Sequence, residues 1–139
     1  MTKDEYMLMV SSDAAERIAD EILSSNDQIL LISIREQTGK ILAVKFRESF
    51  GKAFRLSELV DNNLGGTLAV TVLGVVNEIR DVFGQAEAII TVHRGCKLIL
   101  LPLLSCQLLV GLAVERGVET DDDKVARYIE GLLAEAITK

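Results

Sequence analysis

Tryptophan is absent from this chain, aromatic residues amount to 4%, and there is a single proline, Pro102. A core built here must therefore be aliphatic, from Leu, Ile, Val and Ala. With apolar residues at 49% and one proline, neither a disordered chain nor a proline-rich linker is expected. There is one histidine, His93, so any Ser-His-Asp triad would have to use it, and no G-x-S-x-G elbow accompanies it. Two cysteines, Cys96 and Cys106, are too few for a disulfide framework. Read as opening a strand and lying in the turn after it, they sit near opposite ends of one hairpin, and two reduced thiols in a cytoplasmic protein are expected. Positive charge is also short. The net charge of −6 argues against nucleic acid, whose phosphates need a basic surface.

Long apolar runs are missing too. The N-terminus, MTKDEYMLMVSSD, has no signal-peptide core. Leu98 to Val114 is the one membrane candidate, but it is short, and Pro102, Ser105, Cys106 and Gln107 fall at its centre. A spanning helix needs about 20 mostly apolar residues. Two buried strands around a turn fit better, and no membrane insertion is expected.

What is present is a sequence of patterned elements, and 139 residues suit one domain, 1–139, with a core of its own. Asp13 and Glu16 have capping-box spacing, and Ala15, Ile18, Ala19 and Ile22 follow at helical intervals. Thr2 and Glu5 repeat that spacing, so the first helix starts near residue 3 or near residue 13. Ile29 to Arg35 reads as a strand, Glu36 to Lys40 as a turn with Gly39 set for a positive φ, and Ile41 to Phe46 as the returning strand. Leu64 to Phe83 reads as a second helix with an apolar stripe of Leu64, Leu68, Val72, Val75, Val76, Ile79 and Phe83. Gly66, Val70 and Gly74 make a second row of small residues, where another backbone could approach closely; glycine costs about 1 kcal/mol relative to alanine inside a helix, so such a row has a packing reason. Ala88 to His93, Lys97 to Leu101 and Leu108 to Val114 read as three strands, with Pro102, which lacks an N–H, at the end of the second. Thr120 and the three aspartates after it open a last helix with Val125, Ile129, Leu132, Leu133 and Ala136 on its buried face.

One segment is locally basic. Lys45, Arg47, Lys52 and Arg55 lie among Phe46, Phe50 and Phe54, with Glu48 the only acid. It reads either as a turn whose phenylalanines cover the core or as a surface for an acidic partner, through Arg47, Phe50, Lys52 and Arg55. No arrangement suggests catalysis. Asp121 to Asp123 fit a helix N-terminus better than a metal site, because consecutive acids do not share a helix face. Gly65-Gly66-Thr67 lacks both phosphate-loop patterns. No metal, cofactor or catalytic residue is expected, and the protein is expected not to be an enzyme.

The order helix, two strands, helix, three strands, helix, with ILLISIREQTGKILAV as the first hairpin and CKLILLPLLSCQLLVGLAVER as the last two strands, resembles the Roadblock / dynein light chain family over nearly the whole chain. The resemblance implies an α+β fold, a five-stranded antiparallel sheet flanked by helices, of the profilin/longin type. It implies a homodimer, or a heterodimer with a paralogous Roadblock domain, meeting through the third strand and second helix, here through Gly66, Val70, Gly74, Ile89, Ile90, Val92 and His93. It further implies a cytoplasmic scaffold or regulator of Ras-like small GTPases that carries no cofactor. The turn after Pro102 departs from the family by beginning Leu103-Leu104, either buried under a helix or part of a contact surface. The competing expectation is a PAS- or GAF-like small-molecule sensor, which needs a pocket with converging polar groups, or a pure dimerisation module.

Overall fold

The computed structural model describes residues 10–50, 64–103, 107–116 and 122–138. Helix α1 runs Ser12–Ser25, strands β1 and β2 run Ile29–Glu36 and Ile41–Phe46, helix α2 runs Leu64–Glu78 and the short α3 Arg80–Phe83. Strands β3, β4 and β5 follow at Ile89–Val92, Lys97–Leu103 and Leu108–Val114, and helix α4 at Asp122–Thr138. The strands form one sheet in the order β2-β1-β5-β4-β3, and every neighbouring pair is antiparallel. This is the expected α+β architecture, with β5 at its centre and β3 at one edge.

The alternation of side chains along each strand builds two faces. Ile32 pairs with Leu112 and Leu112 with Ile99; Ile34 pairs with Val110 and Val110 with Leu101. All six are buried on one face, with Ala15, Ile18, Ala19 and Ile22 of α1 and Ile129 and Leu133 of α4 packed over them. Alanines at these α1 positions keep the helix close to the sheet. The opposite face carries Leu31, Ala113 and Leu98, which pack with Phe50 and Cys96. Because β5 is covered on both faces, all seven of its residues are buried, as its unbroken apolar run requires.

Turn chemistry sets the first hairpin. Gly39 has φ +99°, a conformation open to glycine without a Cβ clash. Its N–H donates to Glu36 O at 2.8 Å, and Glu36 N–H donates to Lys40 O at 2.9 Å. At the same end of the sheet, Pro102 sits inside β4 opposite Leu109 rather than after the strand, which continues to Leu103. Leu103 is buried in the main core; Leu104 lies outside the described residues.

Two helix boundaries differ from the sequence reading. The cap of α1 is Ser11, whose hydroxyl accepts from Ala14 N–H at 3.1 Å, and Asp13 lies within the first turn, where its charge complements the helix dipole. The alternative start near residue 3 lies outside the described residues. The second helix is not continuous from Leu64 to Phe83. It turns at Ile79, which has φ −96° and ψ 0° and donates to Val76 O at 3.2 Å, and α3 then runs to Gly84. Val70, Thr71, Val72, Val75, Val76 and Ile79 are β-branched, and such a density weakens helical propensity. The expected cap of the last helix, Thr120 and Asp121, lies outside the described residues.

Candidate functional site

Helix α2 has more apolar surface than the described residues cover. Leu73 is buried and Val72 and Val76 are half-buried, which marks the side turned inward. At about 100° per residue, Val75 lies about 200° from Leu73 around the helix, and it is 61% exposed. Ile79 continues this outer side at 46% exposure. The band passes into α3, where Val82 and Phe83 are among the most exposed large apolar side chains described, Phe83 at 80%. An apolar stripe wider than the roughly 100° that one core-facing side needs is the sequence signal for a second, uncovered side.

The expected row of small residues takes a different direction. Gly74 lies about 100° from Leu73 by the same arithmetic, is exposed, and a Cβ placed on it meets nothing within 4 Å. Val70 is exposed and Gly66 lies in the first turn of α2. Val70 and Gly74 thus flank the buried line on one side, and Val72, Val75 and Ile79 flank it on the other.

Strand β3 supplies the other part of the surface. Ile90 pairs with Ile99 and so points to the main-core face, yet neither helix over that face covers it: Ile90 is 44% exposed and Val92 61%. Ile89 and Thr91 point to the opposite face and are half-buried. His93 is exposed just beyond the strand. Its Nε2 lies 2.9 Å from Thr91 Oγ1, and its N–H donates to Cys96 O at 2.9 Å. The structure therefore brings Ile89, Ile90, Val92 and His93 together on one open edge.

The basic segment divides. Arg47 is committed within the chain: its Nη2 donates to Leu23 O at 2.7 Å and Asn26 O at 2.9 Å, and its Nε to Ile29 O at 2.9 Å. Those carbonyls belong to the last turn of α1 and the start of β1, so the guanidinium caps a helix C-terminus and fixes the strand that follows. Asn26 adds to this cap by donating from Nδ2 to Ile22 O at 2.9 Å. Phe50 is buried against Cys96 and Ala113. Lys52 and Arg55 lie outside the described residues.

Two other features bear on chemistry. A cavity of about 510 Å³ opens between the end of α1, the sheet and the first turns of α4. Its floor includes Ile99, Leu112 and Val114, and Asn26, Gln28 and Tyr128 stand among its polar lining groups. Cys96 is a free, buried thiol whose pKa burial pushes up, the opposite of what a nucleophile needs. Burial also lowers the pKa of Arg35, whose Nη1 reaches Gly39 O at 3.4 Å. Among the described residues, no group of three His, Cys, Asp or Glu side chains could hold a metal ion, and no helix is long and apolar enough to cross a membrane.

No family model and no curated protein matches the sequence. Solved structures do match the fold. A structure of MglB with a tetrameric arrangement aligns with TM-score 0.65 at 14% identity, covering 89% of this chain and 90% of that one. The gliding protein MglB from Thermus thermophilus aligns with TM-score 0.62 at 15% identity, over 91% and 90% of the two chains. A Roadblock/LC7 domain from Streptomyces avermitilis aligns with TM-score 0.59 at 8% identity, over 88% and 91%. With its five antiparallel strands, the helices that flank them and these whole-chain matches, the protein has a Roadblock-like fold.

Proposed function

We propose that this protein is a non-enzymatic dimeric scaffold that binds and regulates a Ras-like small GTPase. The observation that carries the reading is the uncovered apolar band from Val75 through Phe83, followed in the chain by the open edge at Ile90 and Val92. Large exposed apolar patches on a folded domain mark contact surfaces, and an open apolar strand edge is a liability until another chain covers it. The class of partner comes from the Roadblock resemblance, since members of that family serve as subunits or regulators of small GTPases. The dimer comes from the same resemblance, through β3 and the second helix.

The test is affinity capture from the native organism's lysate, once with a non-hydrolysable GTP analogue and once with GDP. A small GTPase retained in one nucleotide state and lost in the other is the expected result. Recovery of only the protein itself, or of another domain of the same type, would leave a dimerisation module. Charge reversal at Lys52 and Arg55 separates the remaining roles of the basic segment: weaker GTPase capture assigns these residues to the partner surface, and unchanged capture removes them from it.

A small-molecule sensor is a second reading, favoured by the cavity of about 510 Å³ with its apolar floor and polar lining. This lies within the size range of ligand pockets. Native mass spectrometry of the purified protein tests it: a co-purifying metabolite, released by denaturation, would favour the sensor over the scaffold.

A further inference from the structure

The cavity of about 510 Å³ on the main-core face is built in a way that selects its occupant. It forms where α1 ends and α4 begins. About one helical turn away along each helix, Ile22 and Ile129 are completely buried, so the two helices close over the sheet there. Towards the cavity α1 stops at Ser25, and a turn through Asp27 leads into β1, held by Ile29 N–H donating to Asn26 O at 3.1 Å. Across from it α4 presents Lys124, Val125 and Tyr128. The two helix ends are the walls of a cleft, and the sheet is its floor.

Ile29 pairs with Val114, and Leu112 with Ile99, so the floor is a continuous apolar surface across β1, β5 and β4. Each of these four side chains lines the cleft yet is at most 3% exposed. The cleft therefore narrows towards its floor, a shape that suits a slim unbranched chain better than a ring. A polar group carried to that depth would lose its hydration with no hydrogen bond in return. The rim is different in kind. Lys124 is the one charged side chain in the lining, and no carboxylate lines the cleft, although the chain as a whole carries a net charge of −6. Asp27 stands between two lining residues but is exposed and is not part of the lining. The Ser25 and Tyr128 hydroxyls and the Gln28 amide add neutral donors to the rim. A single ammonium among neutral donors complements a singly charged head, whereas a phosphate calls for more positive charge or a guanidinium fork.

We propose that this cleft binds an unbranched aliphatic carboxylate, with its alkyl chain along Ile29, Ile99, Leu112 and Val114 and its head at the rim beside Lys124 and Tyr128. The proposal names the ligand class for the sensor reading above and does not rest on the GTPase reading. A chain bound there touches the end of α1, three strands and the first turns of α4 at once. Its occupancy therefore stabilises the seating of α4 on the sheet, as any ligand of the folded state alone does.

Calorimetric titration of the purified full chain with butanoate, hexanoate and octanoate tests the floor. Each added methylene is expected to tighten binding about threefold to fourfold. Octylamine and 1-octanol test the rim: octanoate is expected to bind at least tenfold more tightly than octylamine. Lys124→Glu is expected to weaken octanoate about tenfold and to leave 1-octanol within about twofold. Methyl resonances locate the site. Those of Ile29, Ile99 and Val125 shift with octanoate, whereas those of Val75 and Val82, on the exposed band, do not. No octanoate binding, no dependence on chain length, or shifts confined to Val75 and Val82 would each overturn the proposal. Equal affinity for octanoate and octylamine would overturn the carboxylate head. A co-purifying metabolite of another class in this cleft would overturn the ligand class and leave the sensor reading standing. A cleft that takes none of these probes and yields no metabolite would overturn both.

Discussion

Ser33 Oγ lies 2.6 Å from where a Cβ on Gly111 would stand, and the two residues face each other across the β1–β5 pair. The centre of the sheet has room for a hydroxyl or for a methyl there, but not for both in their present places. Gly111→Ala alone is expected to destabilise the fold by about 1–3 kcal/mol, as overpacking does. Ser33 Cβ would stand 4.0 Å from the new methyl, an ordinary contact, so in a Ser33→Ala background most of that loss is expected to vanish. Urea midpoints of the two single variants and the double variant measure the coupling. Equal costs in both backgrounds would show that the hydroxyl simply rotates away.

Arg47 joins three carbonyls from two elements through Nε and Nη2. Hydrogen bonds from a charged donor are worth more than neutral ones, and Arg47→Met is expected to cost about 2–3 kcal/mol. Arg47→Lys should recover only part of this, because a single ammonium does not reproduce the guanidinium fork. A loss under about 0.5 kcal/mol would indicate that water replaces the cap.

The outer side of α2 can be tested apart from folding. Val75→Glu is expected to leave the thermal midpoint of the fold nearly unchanged, because the side chain is 61% exposed. In a dimer that covers this side, the same change should weaken association by roughly ten- to a hundredfold, the equivalent of about 1.5–3 kcal/mol for one apolar side chain. Sedimentation over a dilution series reads it. An unaltered dissociation constant would place the interface elsewhere.

Cys96 gives a pH dependence with a definite sign. Burial raises its pKa, so above the ordinary thiol value of about 8.5 the unfolded chain has released a proton that the folded chain still holds. Folding stability should then fall as pH rises past that value, and no contribution should be seen at neutral pH, where both states hold the proton. The thermal midpoint of the wild type, relative to Cys96→Ser, is expected to drop between pH 8 and 10. Parallel curves would show that the thiol is not desolvated.

The strands were legible in the sequence because each carries a local signature. Ile41–Phe46 and Leu108–Val114 have the bounds their apolar patterns predict, and Gly39 marks its turn by the positive φ. The break at Ile79 carries no Gly or Pro and so leaves no mark in the pattern. For α1, Ser11 and Asp13 compete as caps, and only the geometry shows which accepts from Ala14. The role of Arg47 was hidden for a different reason. Its partners are backbone carbonyls 18 to 24 residues earlier in the chain, and a carbonyl has no side-chain identity that a sequence can display. In the candidate interface, the edge position of Ile90 and Val92 followed from the Roadblock resemblance, whereas the exposure of Val75 and Val82 depended on which sides of α2 and α3 turn inward.

The central position of β5 also governs how this chain is made. Ile32 pairs with Leu112 and Ser33 with Gly111, so the first hairpin meets its main neighbour only after most of the polypeptide has been synthesised. Until then β1 and β2 form a two-stranded unit with an unfilled flank, a poor independent structure. Such distant pairing slows folding and lengthens the time that strand edges stay open. A nascent chain stopped before Leu108 would present β1 and β4 as bare edges, which makes the final quarter of the sequence the part on which protection from aggregation during synthesis depends.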